Sequence, residues 1–225
     1  MIFPRGVYGA LAYRDNVFTE KMCSSIIEYA ENNKELMYQG PTMGGLDKSI
    51  KNCYDFGISS GVKGATELQK IDLDIMNKQI FNEITGVIQD YCKYYPALTN
   101  DWVNRYDTGY QFQKYLANEG FYKEHCDGGP FYEDGSQNRV LALIVYLNTV
   151  KMGGGTRFPL HDYTVDAVCG RVSIFPSNFT HPHAGIMPLE SPKYIISTFC
   201  YTSPSIKDNQ VSAKKELSEH YKNEQ

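Results

Sequence analysis

The feature that most constrains the fold of this chain is a change of texture at Pro96. Before it lie two stretches of helical periodicity. After it come short runs rich in Tyr, Val, Ile and Phe, separated by Gly, Asn and Asp at intervals typical of a sandwich or barrel. Strands with one apolar face must close on one another to bury it. The pattern predicts strands around residues 102–106, 110–117, 121–126, 139–147, 156–158, 171–175, 180–186 and 193–202. About eight strands suit a jelly roll, so the expected fold class is mainly β with flanking helices.

The helices are expected upstream. Between Thr19 and Asn33, Met22, Ile26, Ile27 and Ala30 recur at helical spacing, with Thr19 as the cap. From Thr66 to about Tyr91 the apolar set Leu68, Ile71, Ile75, Ile80, Ile84, Val87 and Ile88 predicts the longest helix. The intervening segment Gln39 to Ser60 mixes Gly-Pro, Gly-Gly and polar residues and reads as irregular or hairpin-like, with Gly40 to Ser60 expected to act as a mobile lid. One domain over 1–225 is predicted: helical support over about 1–98, a catalytic core over about 99–203 and a loose tail over about 204–225.

Composition excludes several function classes. The formal net charge is −4 and no Lys/Arg cluster occurs, so nucleic acid is not an expected partner. There is no run of ~18 apolar residues and no charged leader followed by an apolar stretch, which reads as a cytoplasmic protein without a membrane partner. The six cysteines form no Cys-x-x-Cys pair and read as free thiols.

His125-Cys126-Asp127 places an imidazole and a carboxylate at i and i+2, so both leave the same face of a strand while Cys126 turns away. A second imidazole would complete a two-His, one-carboxylate facial triad, the set that leaves open positions on non-haem iron(II). His181 and His183 are both candidates; His161 reads as a loop residue. Ten residues beyond His183, Lys193 opens Lys-Tyr-Ile-Ile-Ser-Thr-Phe, otherwise a buried strand. A buried ammonium requires a compensating anion, which an acidic ligand inside the barrel would supply.

Several segments, taken together and in order, resemble the prolyl 4-hydroxylases among the iron(II)- and 2-oxoglutarate-dependent dioxygenases. They are Gln113 to Asp127, Arg139-Val-Leu-Ala-Leu-Ile-Val-Tyr-Leu-Asn148, Gly153-Gly-Gly-Thr-Arg-Phe158, Gly170 to Ser177, and Thr180-His-Pro-His-Ala-Gly185 followed by Lys193. The resemblance covers roughly residues 100 to 202 and implies a double-stranded β-helix, a jelly-roll relative of the cupins. It implies iron on His125, Asp127 and His183, His183 being favoured over His181 by its spacing to Lys193 and its His-x-Gly context. It further implies 2-oxoglutarate on Lys193 with Tyr115 and Tyr146, dioxygen as oxidant and ascorbate as reductant. Lys51-Asn-Cys53 stands where the family usually has Arg-x-Ser for peptide recognition, a change of donor geometry that alters the expected substrate. Arg139, Lys51 and His181 are the candidate substrate residues.

The resemblance implies hydroxylation of prolyl residues in a peptide or protein, with release of succinate and CO2. Hydroxylation of another side chain or a small molecule is the alternative within enzymes. Outside that reading stand a non-catalytic jelly-roll binding module and a zinc hydrolase, since zinc also accepts two His and a carboxylate. A hydrolase needs no deep anion clamp, so Lys193 discriminates.

Overall fold

Thr66 explains where the longest helix begins. Its hydroxyl accepts from the Gln69 amide and the Gln69 side chain accepts from the Thr66 amide, a reciprocal capping box. The structure is a computed structural model and describes residues 1–4, 10–42, 44–99, 104–107, 109–128 and 139–201. In chain order it contains β1 (Ala12–Arg14), α1 (Glu20–Asn32), β2 (Tyr38–Gln39), β3 (Lys51–Asn52), β4 (Tyr54–Ile58) and α2 (Glu67–Cys92). These are followed by β5 (Asn104–Asp107), β6 (Tyr110–Tyr115), β7 (Phe121–His125), β8 (Arg139–Tyr146), β9 (Thr156–Phe158), β10 (Tyr163–Val165), β11 (Val172–Pro176), β12 (His183–Gly185) and β13 (Lys193–Tyr201). No helix among the described residues is long and apolar enough to cross a membrane.

The strands form two sheets. The larger runs β1-β11-β8-β13-β6-β4-β2 with β5 added to β13, and the smaller runs β10-β9-β12-β7-β3. Every pairing is antiparallel. This is the jelly-roll-like core with N-terminal helices that the pattern after Pro96 predicts. Alternation along β8 divides the core: Leu141, Leu143 and Val145 join the cluster formed with both helices, whereas Ala142, Ile144 and Tyr146 join the cluster between the sheets.

Two expectations need correction. The periodicity merged two apolar stripes of α2: Leu73, Met76, Ile80, Ile84, Val87 and Tyr91 are its buried residues, while Leu68, Ile71 and Ile75 are exposed. Only tertiary packing decides which stripe meets the sheet, and the spacing of three or four is common to both. The Gly40 to Ser60 segment is not a free lid either. It contains β3 and β4, which pair with β7 and β6, and its Lys51, Cys53 and Asp55 are buried. The sheets thus take β1 to β4 from the region assigned to helical support. The expected tail, and strand residues 102, 103 and 202, lie outside the described residues.

Candidate active site

The site begins with one rung of the smaller sheet. His125, the last residue of β7, is the register partner of His183, the first residue of β12, and their ring centroids are 4.4 Å apart. Asp127 follows just past the strand and closes the third corner: its Oδ1 is 3.5 Å from His125 Nε2 and its Oδ2 is 3.3 Å from His183 Nε2. One ligand atom from each of the three lies within 4.8 Å of the others, and they are the only such group among the described residues.

The donor set fits a divalent metal. His125 Nδ1 is 2.8 Å from the Lys123 carbonyl and His183 Nδ1 is 3.1 Å from the His181 carbonyl, so each Nδ1 carries the proton and each Nε2 offers a lone pair. Burial alone would raise the Asp127 carboxyl, yet His183, His125 and Arg139 hold it below the usual carboxylate range. A carboxylate oxygen and two imidazole Nε2 atoms therefore converge on one point. Phe158 and Phe175 pack on the His183 ring with centroids at 5.6 and 4.8 Å, which fixes its orientation. Tyr122 stacks on the His125 ring at 3.6 Å.

The triad lines a cavity of about 330 Å³ shared with Lys193, Tyr115 and Tyr122. Lys193, on the first residue of β13, is 1% exposed and opposite Tyr115, with its ammonium 4.4 Å above the Tyr115 ring. Burial depresses the ammonium to about 8. Gly185 borders it: a Cβ there would stand 3.5 Å from Lys193 Nζ, an ordinary van der Waals contact. No carboxylate among the described residues pairs with this lysine.

The other candidates separate. Tyr115 lines the cavity and donates its hydroxyl to Gln113 Oε1 at 2.8 Å. Tyr146 does not line it; its hydroxyl donates to Thr156 Oγ1 at 2.7 Å, and Thr156 is the residue at the wall. Arg139 does line it, donating Nη1 to the Asp127 carbonyl at 3.1 Å with its guanidinium 3.8 Å from the Phe199 ring centre. Lys51 is a wall residue, ion-paired at 2.5 Å with the fully buried Asp55. His181 lies behind the wall: it is buried, its Nδ1 bonds with Thr180 Oγ1 and its ring is 4.5 Å from that of His161. Burial together with His161 and His183 pushes it down to about 4, and it takes no place in the triad. Cys126 is also outside the ligand group, and burial with Asp127 and Glu124 raises its thiol.

Sequence reasoning missed the polar wall. Gln111 and Gln113 of β6, Tyr122 of β7 and Ser197 of β13 all line the cavity. On a strand, alternating polar residues read as a water-facing side, and only the closure of the second sheet turns that side inward. The usable signal was Tyr115 itself, which shares its strand face with Gln111 and Gln113.

Residues 110–201 match the model of the 2OG-Fe(II) oxygenase superfamily. No curated protein sequence matches the chain. Among solved structures, the chain is similar to a prolyl hydroxylase of Trichoplax adhaerens in complex with a hypoxia-inducible-factor oxygen-degradation-domain peptide, with TM-score 0.65 and 16% identity over 87% of this chain and 84% of that one. It is also similar to the viral collagen prolyl hydroxylase of Paramecium Bursaria Chlorella virus-1 in its 2OG complex, with TM-score 0.62 and 16% identity over 87% and 98%. A Pseudomonas putida prolyl-4-hydroxylase gives TM-score 0.60 at 16% identity over 86% and 94%. The matched segment spans every strand that bears the triad and Lys193, and the chain shares its fold with prolyl hydroxylases.

Proposed function

We propose that this protein is a 2-oxoglutarate-dependent dioxygenase that hydroxylates prolyl residues in a peptide or protein and releases succinate and CO2. The observation that carries the reading is Lys193: a fully buried ammonium without a carboxylate partner among the described residues, opening into the cavity that holds His125, Asp127 and His183. A cation in that position requires an anion from outside the protein, and a dicarboxylate whose other end reaches the triad meets the requirement. A hydrolytic zinc centre has no use for it.

Iron(II) with 2-oxoglutarate, when bound, activates dioxygen for insertion into an unactivated C–H bond. The protein's contributions are specific. His125 and His183 each present Nε2 with Nδ1 already committed to a carbonyl, and Asp127 supplies the anionic oxygen. Lys193, its ammonium over the Tyr115 ring, would hold the distal carboxylate. Arg139, braced by Phe199 and the Asp127 carbonyl, guards the approach to the triad and is placed to receive a substrate carbonyl. Tyr146 acts one bond away, holding the Thr156 hydroxyl at the wall.

A second reading, hydroxylation of another side chain or of a small molecule, is favoured by the polar wall of Lys51, Gln111 and Gln113, which a pyrrolidine ring does not need. One experiment separates the two. Protein purified without oxygen is supplied with iron(II), ascorbate as reductant and labelled 2-oxoglutarate, then with proline-containing peptide pools or with proline-free peptides and free amino acids. Succinate release coupled to a one-oxygen mass gain on proline supports the first reading, and coupling only to other substrates supports the second.

A further inference from the structure

Strand β6 faces the space between the sheets with Gln111, Gln113 and Tyr115, where a sandwich ordinarily places apolar side chains. A buried carboxamide is costly unless each end is hydrogen-bonded. Gln113 is 6% exposed, and its Oε1 accepts from the Tyr115 hydroxyl. With its oxygen on the Tyr115 hydroxyl, the amide turns Nε2 away from Tyr115. Nε2 has no hydrogen-bond acceptor among the described residues, although the side chain lines the cavity.

A second donor comes from the opposite sheet. Asp55, the register partner of Gln113, is fully buried and accepts from Lys51 Nζ at 2.5 Å, from the Cys53 thiol at 3.0 Å and from Gln111 Nε2 at 3.2 Å. With three donors on it, Asp55 orients the wall rather than meeting a ligand. Lys51 is 4% exposed, lines the cavity and stands 5.5 Å from the Tyr122 ring centre. Its ammonium has three N–H groups and one carboxylate partner. Burial opposes its charge, but Asp55, Cys53 and Tyr122 together outweigh burial and raise it above the ordinary lysine value.

We propose that Gln113 Nε2 and Lys51 Nζ form a second ligand subsite, oriented by Tyr115 and Asp55, that takes a carbonyl or carboxylate oxygen. Uncommitted donors without matching acceptors select an oxygen acceptor. The subsite adjoins the Lys193 anchor through Tyr115, but its cation, Lys51, comes from β3 of the smaller sheet whereas Lys193 comes from β13 of the larger. The inference rests on reading the cavity as the dioxygenase site. The oxygen belongs either to 2-oxoglutarate or to the substrate, as a peptide carbonyl or an amino-acid carboxylate.

The test compares the parent with Gln113→Leu, which keeps the volume and removes the donor, and with Lys51→Met/Asp55→Asn, which removes the cation without leaving a bare buried carboxylate. One arm titrates 2-oxoglutarate without oxygen into manganese-loaded protein by calorimetry. The other measures retention of a degenerate peptide mixture and of free amino acids by the same loaded protein, with thermal melting as the folding control. A roughly tenfold loss in the first arm assigns the oxygen to the cosubstrate, and the same loss confined to the second assigns it to the substrate. If folded Gln113→Leu equals the parent in both arms, the subsite is overturned, whatever the double variant does. Failure of the parent itself to bind 2-oxoglutarate would remove the dioxygenase reading and the subsite with it.

Discussion

His125 and His183 are paired across one rung of the smaller sheet, each with Nδ1 on a backbone carbonyl and Nε2 turned toward Asp127. His181 is only two positions from His183, yet its ring is turned toward His161. His183→Ala should therefore weaken iron(II) or manganese(II) binding beyond the roughly 10–100-fold cost of losing an outer partner. His181→Ala should keep metal affinity within a few-fold, because it retains the His181 carbonyl that holds His183. Metal titration of the two variants checks this, and the reverse ranking would move the ligand to His181.

Lys193→Ala removes the anion anchor and leaves the triad untouched. A charge-assisted bond of about 1.5–3 kcal/mol corresponds to a 2-oxoglutarate requirement raised by about 10–150-fold, with metal affinity unchanged. Calorimetric titration of the metal-loaded variant reads both quantities. An unchanged 2-oxoglutarate affinity would refute the anchor.

The same lysine sets a pH dependence. Burial lowers Lys193 from 10.5 to about 8 in the ligand-free protein, so the cationic form that receives a carboxylate is lost as pH rises through about 8. Affinity for 2-oxoglutarate should be nearly flat below that point and then fall by about tenfold per pH unit. Stability of the ligand-free protein moves the other way: between about 8 and 10.5 the unfolded chain holds this proton and the folded one does not, so this group adds stability as pH rises. Binding and urea melts from pH 7 to 10 test both signs, and Lys193→Met should remove both trends.

Asp55 and Lys51 form a buried ion pair in the cavity wall. Asp55→Asn leaves the ammonium without a counter-charge and should destabilise the fold by about 3–5 kcal/mol. Lys51→Met/Asp55→Asn should cost much less than the sum of its single changes, because neither partner is left charged and alone. Urea unfolding of the four proteins closes the cycle, and additivity would show that the pair is not coupled.

The candidate site was legible where its signals are local. His125 and Asp127 are two residues apart, and Lys193 stands out as an ammonium opening an apolar strand. Strand pairing supplied what locality could not. β3 is two residues long and is a strand only because Lys51 meets Tyr122, while β4 presents Phe56 and Ile58 to the helices and hides Asp55 on its other face. β10, also unread, exists by pairing with β9. Tyr146 faces the space between the sheets, but direction alone does not say whether the hydroxyl ends in the cavity or on Thr156.

His125 and His183 belong to the smaller sheet, with Asp127 just past β7, whereas Tyr115 and Lys193 belong to the larger, and Phe158 of one sheet meets Phe175 of the other edge to face at 4.8 Å behind His183. On the proposed assignment the two sheets are the jaws of a caliper. Packed sheets stand about 10 Å apart, and that gap, set by aromatic spacers that never touch the cosubstrate, gauges the length of diacid that can bridge metal and ammonium. Selection among diacids of different length is then a property of core packing, and a substitution at Phe158 or Phe175 would retune it without altering a single ligand.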